Sequence, residues 1–209
     1  MFSTLTMERN LIMKNVFLTV IVALCCTTGV FSQTKWTIDN IHSNVQFSVP
    51  HLVISEVEGN FSVYSGTIET PRTDFSDAKV AFSIDVNSIS TGNEMRDKHL
   101  KSDDFFNAQK YPTMTFSSVS WKNIGENIYT LEGDLTIRDV TKRVTFDVTY
   151  GGTIKDGYGN TKAGFKATTI INRFEYGLKW NALTEAGGIT VGKDVTITLR
   201  LEFAQQKSS

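Results

Sequence analysis

The chain carries three histidines, His42, His51 and His99, and one dense polar cluster, Arg96-Asp97-Lys98-His99. Three imidazoles suit a zinc site with an open fourth position, so a histidine-based metalloenzyme or hydrolase is one chemistry they could serve. Their spacing does not favour it: no two histidines stand four apart, as a metal pair on one helix face would, and HExxH is absent. Arg96 and His99 suggest a second chemistry, the recognition of a phosphate or carboxylate head group, in which an arginine fork grips two oxygens at once. The same residues would equally serve as a solvated helix face, or as an anchor to Asp39. Asp103-Asp104 and Asp134 offer carboxylates, but no spacing pairs them for acid–base work. There is no GxSxG elbow, no SxxK with its companion motifs, no P-loop and no GxGxxG. The motifs make no positive case for catalysis.

The elements that would position these groups are strands. Val45-Phe47-Val49, Val80-Phe82-Ile84-Val86, Val144-Phe146-Val148-Tyr150 and Val195-Ile197-Leu199-Leu201-Phe203 alternate with polar neighbours. A period of two marks strands with one dry face and one wet face. Weaker strands are expected near Phe61 to Glu69, Met114 to Trp121, Ile128 to Ile137 and Thr161 to Ile171. Asn123 to Asn127 and Lys155 to Asn160 read as turns. Two stretches break the pattern. Thr91 to Ser102 reads as a short helix or ordered loop, and Asn172 to Asp194 is irregular, long enough to cover something or to act as a lid. Eight or nine meandering antiparallel strands close most economically as a barrel, which leaves no exposed edge. Eight strands leave room for a packed core or for one small ligand, and alternation does not separate these. A packed barrel acting through a protein partner therefore stands beside a hollow one.

Composition narrows the field. The 209 residues are 40% hydrophobic and 21% charged, which fits one globular domain and not a disordered chain. With 21 Lys+Arg against 22 Asp+Glu, no basic face for nucleic acid is expected. Residues 1–32 read as a signal peptide: Lys14, then the apolar run Val16 to Cys26, then small residues, with a cut near Ser32/Gln33. Met13 is an alternative start to Met1. The run is too short to span a bilayer. Both cysteines, Cys25 and Cys26, lie in that segment, so residues 33–209 carry no thiol, as suits an oxidising compartment.

Several blocks together resemble one family. Trp36 to Asp39 with His42-Ser43, Val45-Gln-Phe47-Ser-Val49 and His51 resembles the opening of YceI-like domains. Asn93 to Leu100, Phe105 to Phe116, Leu135 to Val144, Arg173 to Gly177 and Val191-Gly192 are similar to later blocks in order and spacing. The one departure is Asp139, near which the family pattern has glycine. The resemblance implies an all-β, lipocalin-like, extended antiparallel barrel, exported to the bacterial periplasm or secreted. It also implies a non-enzymatic role without a cofactor, and an apolar pore for a polyisoprenoid or fatty-acyl amphiphile. On that basis Phe47, Phe82, Phe116, Phe146, Phe165 and Trp180 would line the pore, and His42, His51, Arg96, Asp97 and His99 would meet the head group. A homodimer is the default assembly, since two-fold pairs are the commonest oligomers.

Overall fold

The computed structural model describes residues 33–182 and 190–207. The expected signal segment 1–32, and residues 183–189 within the irregular stretch, lie outside the described residues. The strands are β1 (Thr34–Ile38), β2 (Asn44–His51), β3 (Ser55–Phe61), β4 (Tyr64–Thr70), β5 (Lys79–Asp85), β6 (Ile89–Ser90), β7 (Thr113–Gly125), β8 (Ile128–Ile137), β9 (Val140–Lys155), β10 (Thr161–Asn172) and β11 (Asp194–Gln205). One helix, α1 (Glu94–Lys101), lies between β6 and β7.

Hydrogen bonding runs β1-β4-β5-β7-β8-β9-β10-β11 and returns to β1, which closes an eight-stranded antiparallel barrel. The closing seam is short. Phe203, Ala204 and Gln205 of β11 pair with Ile38, Thr37 and Trp36 of β1. The same edge of β11 pairs with β2 over Thr196 to Arg200. β1 and β2 thus act as one interrupted stave, as do β3 with β4 and β5 with β6. At the first break the Tyr64 hydroxyl donates to the carbonyl of Ser43 at 2.7 Å, and the Glu202 amide donates to the Ser43 hydroxyl at 2.9 Å. Those bonds replace ladder bonds that the break removes.

The long strands follow the alternation of the sequence. β8 buries Tyr129, Leu131, Gly133, Leu135 and Ile137 and turns the residues between them outward. The strand expected over Phe61 to Glu69 is β4, which starts at Tyr64, while Phe61 ends β3; β1, β3 and β6 had no counterpart of their own among the expected strands. β1 and β6 are too short to show a period, and β3 offers only Val57 and Phe61 as apolar residues. The short helix expected between Thr91 and Ser102 is α1. Its N-cap, Asn93, accepts the Arg96 amide at 3.0 Å, and Lys98, His99 and Lys101 near its end complement the dipole.

One end of the barrel is packed solid. The loop between β4 and β5 folds Phe75 inward, where it is 1% exposed. Its ring lies 5.2 Å from Trp36, 5.4 Å from Tyr150 and 5.0 Å from Phe165. Trp121 joins Phe165 from the side at 5.6 Å, and the Tyr129 hydroxyl ties the loop down by donating to the Asp74 carbonyl at 2.7 Å.

Candidate functional site

The opposite end is hollow. A cavity of about 630 Å³ opens beneath α1, walled by Phe47, Phe61, Met114, Ile137, Ile171 and Ile197 and rimmed by residues of α1 and by Arg173, Leu178, Trp180, Thr190 and Val191. Below it, two narrower voids of about 70 and 90 Å³ continue toward the packed end. The first shares Phe47, Phe61, Met114, Ile137 and Ile197 with the cavity, and the second shares Phe82, Ile84, Phe116, Leu135 and Ile197 with the first. The three spaces therefore follow one another down the interior. Trp121 and Phe165 form the floor.

The aromatic residues named from sequence fall along this path. Phe47 and Trp180 border the wide cavity, Phe82 and Phe116 border both narrow voids, and Phe146 and Phe165 border the deeper one. Their inward direction follows from strand parity, except for Trp180, which sits in the irregular segment. Phe61, Met114, Phe105 and Leu178 share the wall and were not singled out.

The polar residues named from sequence divide. His51, Arg96 and His99 border the wide cavity. The His99 ring stands edge-on to Phe105 at 5.1 Å and to Trp180 at 5.0 Å, with Nε2 2.9 Å from an Asp104 carboxylate oxygen. Arg96 donates from Nε to the Thr91 hydroxyl at 2.7 Å and from Nη2 to the Thr91 carbonyl at 2.8 Å, which holds it at the rim. Asp97 does not reach the cavity: one of its oxygens accepts from the amide and hydroxyl of Thr91 at 2.9 and 2.6 Å, anchoring the start of α1. His42 is also elsewhere, in the outer turn between β1 and β2.

That outer turn forms its own cluster. His42 Nδ1 is 3.1 Å from Asp39 and 3.7 Å from Glu202, and Lys162 Nζ binds Asp39 and lies 3.2 Å from Glu202. The Lys162 ammonium, with help from His42 and the Ile41 amide, holds the Asp39 carboxyl well below the usual range, and Asp39 in turn raises the lysine. Asp39, His42 and Glu202 are close enough to hold a metal ion, but Lys162 already supplies a cation there. The three histidines are not gathered, so a three-histidine metal centre lacks one of its ligands.

Arg173 is the charged cavity residue that sequence reasoning missed. It is 4% exposed and borders the cavity. Its guanidinium donates to four carbonyls: Gly192 at 2.8 Å, Leu178 at 2.6 Å, Trp180 at 2.8 Å and Val191 at 3.0 Å. It also stacks over the Phe174 ring at 4.5 Å. One side chain thereby staples the end of β10 to the segments on both sides of residues 183–189. Burial pushes its pKa down, yet an arginine stays charged, so a cation sits in the cavity wall. Arginine is ordinarily a surface residue, and a single sequence offers no sign that this one is buried. Nearby, Arg138 in the tight β8–β9 turn (φ 57°) donates to the carbonyls of Phe105 at 3.0 Å and Gly177 at 3.3 Å, so this turn forms without the expected glycine.

The β2–β3 hairpin projects beside the mouth. Leu52 and Val53 sit at its tip with φ of 52° and 65°, closed by the Ile54 amide donating to the His51 carbonyl at 3.3 Å. Left-handed backbone at a β-branched residue is strained, and Val53 and Ile54 are 87% and 86% exposed. No helix among the described residues is long and apolar enough to cross a membrane.

Known proteins share this barrel. The barrel overlays a Campylobacter jejuni YCEI protein with a TM-score of 0.65 and 33% identity, over 76% of this chain and 90% of that one. It also overlays a polyisoprenoid binding domain from Saccharophagus degradans with a TM-score of 0.60, over 82% of this chain and 98% of that one, at 17% identity, a likeness of fold alone. In sequence, UPF0312 protein SA2479 of Staphylococcus aureus is 39% identical over 172 residues, 82% of this chain and 98% of that protein. The model of the YceI-like domain matches residues 36–203, from the first tryptophan of the barrel to its last buried phenylalanine. With nearly the whole barrel matched in both sequence and fold, the chain belongs to the YceI-like domain family.

Proposed function

We propose that the protein is an exported binding protein that carries a polyisoprenoid or another long-chain amphiphile, with the tail in the barrel and the head at the mouth. The observation that carries this reading is the run of apolar spaces, about 630 Å³ at the mouth and narrowing toward the aromatic floor. Each CH₂ moved from water into such a space gains about 0.8 kcal/mol, so a long tail needs few polar contacts to be held. At the rim, the polar groups of Arg96, His51, His99 and the buried Arg173 favour a head group that accepts hydrogen bonds. The polyisoprenoid binding domain of similar fold supports the choice of tail. Export is supported by the basic and apolar character of residues 1–32 and by the absence of cysteine from 33–209. A carrier needs no reaction chemistry, and a homodimer remains part of the proposal.

Mass measurement of the protein purified from its own cells, under native and denaturing conditions, tests these points together. The expected result is a mature mass beginning near Gln33, with a lipid mass that leaves on organic extraction. Twice the mature mass under native conditions supports the dimer. A bare mass, in a protein that also takes up no polyprenol after purification, overturns the carrier reading.

A further inference from the structure

We infer that three glycines, Gly59, Gly66 and Gly133, set the bore of the barrel and thereby the length of tail it accepts. The inference rests on the carrier reading above and goes on to name the residues that select the ligand.

Glycine weakens a strand unless something needs the space its missing side chain leaves. Here a phenylalanine ring from a neighbouring strand fills each space. A Cβ placed on Gly59 would lie 2.4 Å from Cζ of Phe47, one on Gly66 2.6 Å from Cδ2 of Phe82, and one on Gly133 2.3 Å from Cζ of Phe116. Such distances are far inside carbon contact, so each ring occupies the volume that a side chain would take. Phe47 and Gly59 are direct partners across β2 and β3, as are Phe82 and Gly66 across β5 and β4. Gly133 pairs with Ser118, two residues along β7 from Phe116.

The arrangement decides where the rings go. Phe82 and Phe116 face each other as partners on β5 and β7, and side by side they would obstruct the interior. Each leans away, Phe82 over Gly66 on β4 and Phe116 over Gly133 on β8. Both narrow voids are bordered by these two rings. A methyl group on Gly59 or Gly66 would lift a ring off the wall, and the space open to it is the path of the tail; on Gly133 it would also meet the Ser117 carbonyl oxygen at 2.6 Å. A short tail ends in the wide cavity, which neither Phe82 nor Phe116 borders, and would not sense a shift of these two rings. A long tail must pass Phe82 and Phe116 to reach the floor at Trp121 and Phe165, and would.

Gly66→Ala is the cleanest variant, because the three atoms nearest its added Cβ all belong to the Phe82 ring. The measurement is equilibrium binding of farnesol, geranylgeraniol and solanesol to the delipidated protein, with thermal unfolding recorded in parallel. In the wild type, affinity rises with tail length, by about fourfold for each CH₂ newly withdrawn from water. In Gly66→Ala the affinity for farnesol stays within about twofold, whereas solanesol binds at least about tenfold more weakly than to the wild type, the loss of two or more such groups. Adding Phe82→Leu to Gly66→Ala restores solanesol binding, since the shorter side chain clears the path. Gly59→Ala acts through Phe47, which also borders the wide cavity, so it is expected to weaken farnesol as well as solanesol, and it serves if Gly66→Ala does not fold. Undiminished solanesol binding by a folded Gly66→Ala or Gly59→Ala overturns the inference and leaves the carrier reading intact. Failure of the wild type to bind any of the three alcohols overturns both.

Discussion

The two ends of the barrel are built from the same kind of strand, with apolar residues facing inward, yet one is solid and the other hollow. At the solid end a loop supplies the filling: Phe75 drops between Trp36, Tyr150 and Phe165 at 5.0–5.4 Å. At the hollow end the inserted segment containing α1 spans the opening and contributes no fully buried helix residue. It lies over the opening and meets the wall from above, with Leu100 and Phe106 packed against the core residues and the His99 ring edge-on to Trp180 at 5.0 Å. The difference teaches that alternation fixes which side chains point inward, whereas the connections between strands decide whether the interior is filled. Stability and binding are thereby assigned to opposite ends of one barrel.

Mutations test that division. The largest effect is expected at the plug: Phe75→Ala should cost about 3–5 kcal/mol in chemical denaturation, because the ring leaves a void that its neighbours cannot fill. Phe47→Ala, at a wall that already borders open space, should cost clearly less and should weaken binding of long-chain alcohols instead. Equal losses at the two positions would break the comparison. Arg173→Met should cost about 3 kcal/mol, since four carbonyls lose their donor and must rehydrate or remain unpaired. It is the one mouth residue expected to act on stability as strongly as on binding, and Arg173→Lys should rescue only partly, because an ammonium has three donors for four acceptors.

The flank of the barrel supplies a control belonging to neither end. Asp39 is held below its ordinary pKa, so its contribution is present above about 3.8 and lost as pH falls from there toward the folded-state value. Lys162 is raised, so its contribution is present below about 10.5 and is lost at still higher pH, through the folded-state value. Asp39→Asn should therefore cost about 1.5–3 kcal/mol at neutral pH and flatten the acid limb of the stability curve, with binding of long-chain alcohols unchanged. The smallest effect is expected at the hairpin tip. Replacing Leu52-Val53 by Asn-Gly suits the left-handed backbone there and should raise stability by about 1 kcal/mol, read from the shift in denaturation midpoint.

Much of the wall is legible in the sequence. Val195 to Phe203 shows its period without help, and the inward direction of Phe82, Phe116, Phe146 and Phe165 follows from it. The short staves are not legible, because β1 has five residues and β6 two, fewer than a period needs to declare itself. The site is readable only in part, for reasons that differ by residue. His51 and His99 lie at the mouth, while His42, in an equally suggestive context, is drawn away by Asp39, Glu202 and Lys162 across the β1–β11 seam. Arg173 looks like any surface arginine until the carbonyls of Leu178, Trp180, Val191 and Gly192 are seen to surround it. The glycine–phenylalanine contacts depend on strand register, which pairs Phe47 with Gly59 and Phe82 with Gly66 and which no single strand encodes.

The seam between β1 and β11 also sets an order of events. Trp36 pairs with Gln205, so the first stave of the barrel meets its partner only when β11 has been made. At about 5–20 residues per second, synthesis of the intervening chain takes roughly 10 to 30 s, during which that edge of β1 has no native neighbour. The hairpins β7–β8, β8–β9 and β9–β10 are local and can form as they emerge, while closure carries the entropy of joining chain ends. The slow step in making this protein is thus expected to be the last one, and the pairs that β11 makes with β1 and β2 are where an incompletely folded barrel would stay open.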